Sequence, residues 1–337
     1  MRKPVTLITG AGGEIGHGLV TRLGSSATPM ITLDITPLDP ALAPAVTRVF
    51  TGSITDTSVL ERILAEFEVE FVFHLAALLS TRAEFTPVTA HHVNVEGTLN
   101  LLEFAQRQGE SHGRSVVFVY PSSIAAYGIR DLDAKTRAGR VREDDFAYPT
   151  TMYGCNKLYC EQLGRYYASH YKQLSVQAMP HVDFRCVRFP GLVSGSTLPS
   201  GGTSDYASEM IHAAAKGEPY ACFVRPDTTI PFMAMPDAVQ ALLTIGHAAR
   251  EPLTRTAYNV TAFNPSAAEI REVVLKAFPD AAITYDVDAK RQSIVDSWPA
   301  DLDDSAARRD WGFNPAYDFE RAFSEYLIPT IRQRYAT

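Results

Sequence analysis

The sequence predicts an α/β fold, a doubly wound parallel sheet with a smaller α/β lobe toward the carboxy terminus. Three observations point to it. Short apolar runs alternate with helical patterns through the first two hundred or so residues. Those runs are apolar on both faces, as strands covered by helices on each side must be. A glycine-rich turn joins the first run to an amphipathic helix.

The strand candidates are residues 5–9, 30–34, 47–50, 71–74, 115–120 and 183–188. Helical patterns fall between them, at 57–67, 88–108 and 151–171. Such alternation implies parallel strands joined by right-handed crossovers. After Pro190 the rhythm changes. Residues 191–202 are rich in Gly, Ser and Pro and read as a loop, and a helix is expected from 204 to 216. Pro265-Ser266-Ala267-Ala268-Glu269 has the spacing of a capping box that opens another helix. The charged stretch 131–145 reads as a mobile loop. The chain thus divides into a main domain at 1–190 and a smaller lobe at 191–337, the lobe partly interleaved with the sheet.

The bulk numbers exclude several classes of function. The 337 residues are 46% hydrophobic and 20% charged, enough to bury a sizeable core. A net charge of −7 gives no basic face to follow a nucleic-acid backbone. No stretch has the length and apolarity to span a bilayer, and no apolar signal segment precedes the first strand. Cys155, Cys160, Cys186 and Cys222 form neither a Cys-x-x-Cys pair nor a zinc-spaced set with His, so they read as reduced thiols. A cytoplasmic enzyme that binds no metal and acts on a small molecule is the expectation.

Gly10-Ala11-Gly12-Gly13-Glu14-Ile15-Gly16 follows the first strand and opens a helix. Glycines at 10, 13 and 16 permit a tight turn, a close approach of backbone to pyrophosphate, and close helix–sheet packing. The helix N-terminus then supplies N–H donors to the phosphates. Asp34 ends the second strand about 20 residues farther on, where its carboxylate can accept the hydroxyls of an adenosine ribose and repel a 2′-phosphate. No Lys or Arg stands at Ile35 or Thr36. NAD is favoured over NADP. Ser53 and Ile54 are placed to line the adenine, and Leu75, Ala76 and Ala77 to let the cofactor lie against the backbone.

Tyr153 and Lys157 lie one turn apart on one helix face. A lysine ammonium beside a phenol favours the phenolate, lowers its pKa and suits it to act as a general base. The same lysine can hold the nicotinamide ribose. Ser123, after the fifth strand, can hold a substrate oxygen against Tyr153, with Ser122 as the competing candidate. His74 reads as a satisfied strand-end residue, and Tyr127 and Tyr148 as packing or loop residues.

Taken together, these residues resemble the extended short-chain dehydrogenase/reductase superfamily, over nearly the whole chain. The runs His74–Ser80, Pro121–Ala125, Asp183–Gly191, Gly201–Ala207 and Asp296-Ser297-Trp298-Pro299 are similar to its L-threonine 3-dehydrogenase branch. The resemblance implies a Rossmann fold and oxidation of the L-threonine β-hydroxyl to 2-amino-3-oxobutyrate, with Tyr153 as base. It also implies that Ser80 and Thr203 contact the amino-acid end, that Pro190 lines the nicotinamide, and that two copies pair through the long helix and the Tyr-bearing helix as a homodimer. The pattern departs at Glu14, where Gln is usual, and at Ala234 and Pro236. The departure at Glu14 is expected to matter little; those at Ala234 and Pro236 bear on the shape of the substrate pocket.

The rival reading is a nucleotide-sugar epimerase or dehydratase. That chemistry calls for an Asn after the sixth strand, where Pro190 stands, and for basic residues toward a diphosphate, for which Arg225 and Arg255 are candidates. A third reading is an NAD-binding redox sensor without catalysis, which an intact Ser123, Tyr153 and Lys157 disfavours.

Overall fold

A computed structural model describes residues 2–25, 29–199 and 201–336; Ser200, within the predicted loop, lies outside the described residues. Seven parallel strands form the main sheet. In chain order they are β1 (Lys3–Thr9), β2 (Met30–Asp34), β3 (Arg48–Thr51), β4 (Phe67–His74), β5 (Val116–Ser123), Val182–Phe189 and Ala257–Asn259. Across the sheet the order is Ala257–Asn259, Val182–Phe189, β5, β4, β1, β2, β3. The chain winds outward from β1 to β3, then crosses back to β4 on the other side of β1. That reversal opens a crevice at the carboxyl ends of β1 and β4.

Alternate residues of each strand feed the two faces. Leu7 of β1 packs with Val59, Leu60 and Ile63 of the helix Thr57–Glu66 on one face. Its neighbour Ile8 packs with Leu19 and Val20 of α1 (Glu14–Gly24) and with Leu242 on the other. Both are wholly buried, each contributing roughly 1.5–3 kcal/mol of transfer free energy. A third core, around Tyr206, Met210, Phe232, Ile270 and Phe323, belongs to the later part of the chain.

The six predicted strands and the helices expected at 57–67 and 151–171 are present with small changes at their ends, and the Ser266–Glu269 capping box is formed in both directions. Ser122 and Ser123 are the last residues of β5 rather than residues beyond it.

Three expectations are corrected. The stretch 131–145 is not a mobile loop. Asp131 caps the helix Leu132–Ala138 by accepting from the Ala134 N–H, and Arg140–Val141 pairs in parallel with Asp301–Leu302. Its high charge misled because several of the charges are spent on pairing, as in Arg140 with Asp304 at 3.1 Å. Residues 191–202 are not all loop, for Gly191–Val193 pairs with Phe232–Ala234, a partner 40 residues away and invisible to local composition. The long helix is divided as well. Pro87–His91 is followed by a π-helical stretch, His92–Glu96, and then by Gly97–His112.

Candidate active site

A cleft of about 420 Å³ lies at the carboxyl ends of the sheet strands, within the range that holds a small ligand. Every residue expected to hold the cofactor lines it, from the Gly10–Gly16 turn through Asp34, Ser53, Ile54 and Leu75–Ala77 to Pro190. Ser80, Ser123, Tyr153 and Lys157 line the same cleft. Thr203 does not; it is buried behind the wall, its hydroxyl 3.3 Å from the Ser80 Oγ, while Gly202 and Ser204 on either side reach the cleft.

Gly10 has φ +69°, and a Cβ there would sit 2.5 Å from the Ala76 nitrogen, so the turn itself requires glycine. Gly13 differs: a Cβ would come no closer than 3.4 Å to its nearest neighbour, the Gly10 carbonyl. The absence of a side chain at Gly13 therefore matters to what lies in the cleft rather than to packing. Bare backbone at the start of α1, open to the cleft, fits a dinucleotide pyrophosphate. Asp34 is held in place by the Gly12 N–H, which donates to Oδ2 at 2.9 Å, and by the Thr36 N–H and hydroxyl, which donate to Oδ1. Each carboxylate oxygen accepts at two positions, so Oδ2 keeps one for a ribose hydroxyl.

The helix Met152–Ser169 carries Tyr153 and Lys157. Thr151 caps it by accepting from the Gly154 N–H, and Glu84 accepts from the Met152 N–H. Gly154 packs so closely on the short turn Ile124–Ala126 that follows β5 that a Cβ would lie 2.0 Å from the Ala125 carbonyl oxygen. Tyr153 and Ser123 line the same cleft. The Ser123 Oγ accepts from the Ala125 N–H at 3.1 Å, so its own proton is free to donate into the cleft. Ser122 lines the cleft too, but its hydroxyl is spent, donating to the buried Glu161 at 2.5 Å.

Lys157 is buried, and its ammonium donates to the Pro121 carbonyl at 2.6 Å, 4.5 Å from the Tyr120 ring centre and 5.4 Å from that of Tyr153. Burial pushes its pKa down to about 8. The expectation that this ammonium lowers the Tyr153 pKa is corrected: burial pushes the half-buried phenol above its ordinary value. The pull of one lysine, itself desolvated and engaged with Pro121, is the weaker effect here. His74 is satisfied between the Thr9 and Thr98 hydroxyls at 2.8 and 2.9 Å, and burial drives its pKa down to about 3, so it is neutral.

Sequence reasoning missed two contributors. Asn94, in the π-helical stretch, accepts from the Leu78 N–H and donates to the Leu78 carbonyl, bracing the cleft wall that leads to Ser80. Trp298 lines the cleft and is buried, yet its indole N–H has no hydrogen-bond partner among the described residues. An orphan buried donor costs about 1–3 kcal/mol, so this N–H is suited to a ligand. Its only trace in the sequence is the Asp296–Pro299 run. Arg225 and Arg255 do not reach the cleft; they pair with Asp296 and with Asp144.

The family model described as the NAD dependent epimerase/dehydratase family matches residues 6–261. The mitochondrial L-threonine 3-dehydrogenase of Sus scrofa is 35% identical over 329 residues, 96% of this chain and 82% of that protein. An uncharacterized epimerase/dehydratase of Staphylococcus saprophyticus is also 35% identical, covering 96% of each chain. The X-ray structure of an L-threonine dehydrogenase from Clostridium difficile superposes over all of both chains, with a TM-score of 0.87 and 33% identity. The chain belongs to the NAD-dependent epimerase/dehydratase family of extended short-chain dehydrogenases, as an oxidoreductase that uses a nicotinamide cofactor.

Proposed function

We propose that the protein is an NAD-dependent L-threonine 3-dehydrogenase, oxidising the β-hydroxyl of L-threonine to 2-amino-3-oxobutyrate. The observation that carries this reading is the meeting, in one cleft, of Ser123, Tyr153 and Lys157 with Ser80 and the Gly202–Ser204 turn. The Trp298 N–H lies on the same wall. These are small hydroxyl, backbone and indole donors of the kind that hold an amino-acid carboxylate. The arginines that a sugar diphosphate would need are paired elsewhere.

In this reading Ser123 donates to the substrate β-oxygen and fixes it beside Tyr153. The Tyr153 phenolate takes the hydroxyl proton while the adjacent carbon gives up its hydride. A bound nicotinamide supplies the hydride acceptor, and its positive ring also favours the phenolate. Lys157 holds the helix to β5 through Pro121 and presents its charge to the tyrosine ring. Ser80, backed by Thr203, and Trp298 receive the amino-acid end. Asp34 selects NAD by accepting from the ribose.

The segment after residue 190 supplies the substrate side of the cleft, acting as a lobe. A homodimer through the Gly97–His112 and Met152–Ser169 helices is part of the same reading. It is supported by Leu99, Tyr159 and Tyr166, which are exposed on those helices. Among the described residues no helix is long and apolar enough to cross a membrane, and all four cysteines are free thiols, which supports a cytoplasmic setting.

A spectrophotometric screen tests the function, with NAD and L-threonine, L-serine, D-threonine and simple 3-hydroxy acids. NADH formation with L-threonine above the others is expected. Turnover of a sugar nucleotide alone would overturn the reading.

A further inference from the structure

Glu14 is the first residue of α1, directly after Gly13, so its carboxyl shares the cleft with the backbone N–H groups suited to a pyrophosphate. The same cleft is lined by Asp205, which precedes the helix Tyr206–Lys216 and accepts from the Gly202 N–H at 2.7 Å. Resting on the dinucleotide reading of this cleft, we propose that Glu14 takes up a proton when the nucleotide binds. Nucleotide affinity therefore falls as the solution is made alkaline.

The physical argument starts from two carboxyl groups that face one desolvated space. Burial, then the charge of Asp205, pushes Glu14 up to about 7, against the opposing pull of the Thr197 hydroxyl. The carboxyl is thus poised between its two forms near neutral pH. The other titratable groups that line the cleft are Asp34, Tyr153 and Lys157. Asp34 is engaged by Gly12 and Thr36, and the Lys157 ammonium by Pro121. His17, one turn along α1, is 3.9 Å from Asp39. Arg291 donates to the Gly202 carbonyl on the Asp205 side.

A pyrophosphate brings further negative charge to this space and raises the Glu14 pKa again. The balance is one ionised Glu14 plus one proton plus nucleotide, giving the complex with Glu14 as the neutral acid. That acid can donate its O–H to a phosphate oxygen or to Asp205. By linkage, a proton that promotes nucleotide binding is itself bound more tightly once the nucleotide is present. The dissociation constant then rises with pH, by up to about tenfold per unit, from the Glu14 value in the free protein to its value in the complex.

The test is calorimetric titration of NAD into the full-length protein from about pH 6 to about pH 9, in paired buffers of different ionisation enthalpy, with Glu14→Gln alongside. For the wild type we expect proton uptake that approaches one per nucleotide above neutral pH, with affinity weakening over the same range. Glu14→Gln, which keeps the shape and removes the titration, is expected to lose the uptake and to bind NAD more tightly than wild type at alkaline pH. Asp205→Asn should move the onset of weakening to lower pH. A flat dissociation constant in the wild type, or equal uptake in Glu14→Gln, overturns the inference and leaves the cofactor site standing. No NAD binding at any pH removes the cofactor reading as well.

Discussion

Lys157 donates to the Pro121 carbonyl at 2.6 Å, joining the helix that carries Tyr153 to the strand end that carries Ser123. The bond fixes two parts of the site that are 30 residues apart in the chain. It is reinforced one turn farther along the same helix, where Glu161 accepts from Ser122 and pairs with Arg188 at 2.6 Å. The helix Met152–Ser169 is thus held to β5 and to its neighbour Val182–Phe189 by buried polar contacts as well as apolar ones.

Removing the Tyr153 hydroxyl should abolish proton transfer and little else. Tyr153→Phe is expected to lower kcat by about 10²–10⁴, with NAD affinity and melting temperature near wild type. Because burial holds the phenol above its ordinary value, the wild-type kcat should climb with pH through the neutral range. Steady-state kinetics of both proteins across pH check this; a variant that loses NAD binding would remove Tyr153 from the role of base.

Asp34 is expected to set the choice of nucleotide. In Asp34→Ala the acceptor for the ribose is gone, and so is the charge that repels a 2′-phosphate. The ratio of kcat/KM for NAD over NADP should fall by at least about tenfold, equivalent to roughly 1.4 kcal/mol. An unchanged ratio would mean that the ribose is read elsewhere.

Lys157 gives a stability signature. Its pKa is lowered to about 8, so between that value and the ordinary lysine range the unfolded chain binds more protons than the folded one. Stability therefore rises with pH across that window, and this contribution is lost as pH falls through about 8. Thermal melts of wild type and Lys157→Met should show the wild type gaining on the variant between about pH 8 and about pH 10. Parallel curves would contradict a buried, readily deprotonated amine.

Trp298 is assigned to the substrate through one unpartnered N–H. Trp298→Phe keeps an aromatic ring and removes the donor. An increase in KM for L-threonine of about tenfold is expected, in line with about 1–3 kcal/mol for a buried polar group left unpaired. The KM for NAD should change little. Equal changes in both would indicate a packing role.

The chain order of the site was legible because its parts are local. The glycine turn, the acid at the end of β2 and the Tyr–Lys spacing each lie within one strand, turn or helix, where periodicity and backbone geometry constrain residue types directly. The misreadings came from contacts between distant segments. Charge along 131–145 suggested mobility because Arg140 and Lys135 find their partners, Asp304 and the Val295 carbonyl, some 160 residues later. Asn94 carries no local pattern that separates it from ordinary helix residues, and the Asp296–Pro299 run does not by itself show that the Trp298 N–H is left unpaired in the cleft. Glu14 looked like a minor departure from a familiar loop until Asp205 lined the same cleft.

The sequence by itself determined a doubly wound parallel sheet and a glycine turn, and placed Tyr153 and Lys157 on one helix face, since hydrophobic period, glycine conformation and helical spacing are properties of short segments. Only the tertiary structure decided that the Ser122 hydroxyl is engaged by Glu161 while that of Ser123 is left to donate, that Thr203 stands behind Ser80, and that Tyr153 is held above its ordinary pKa. Those outcomes depend on desolvation and on which polar groups meet across the fold, and both arise only once distant parts of the chain have packed together.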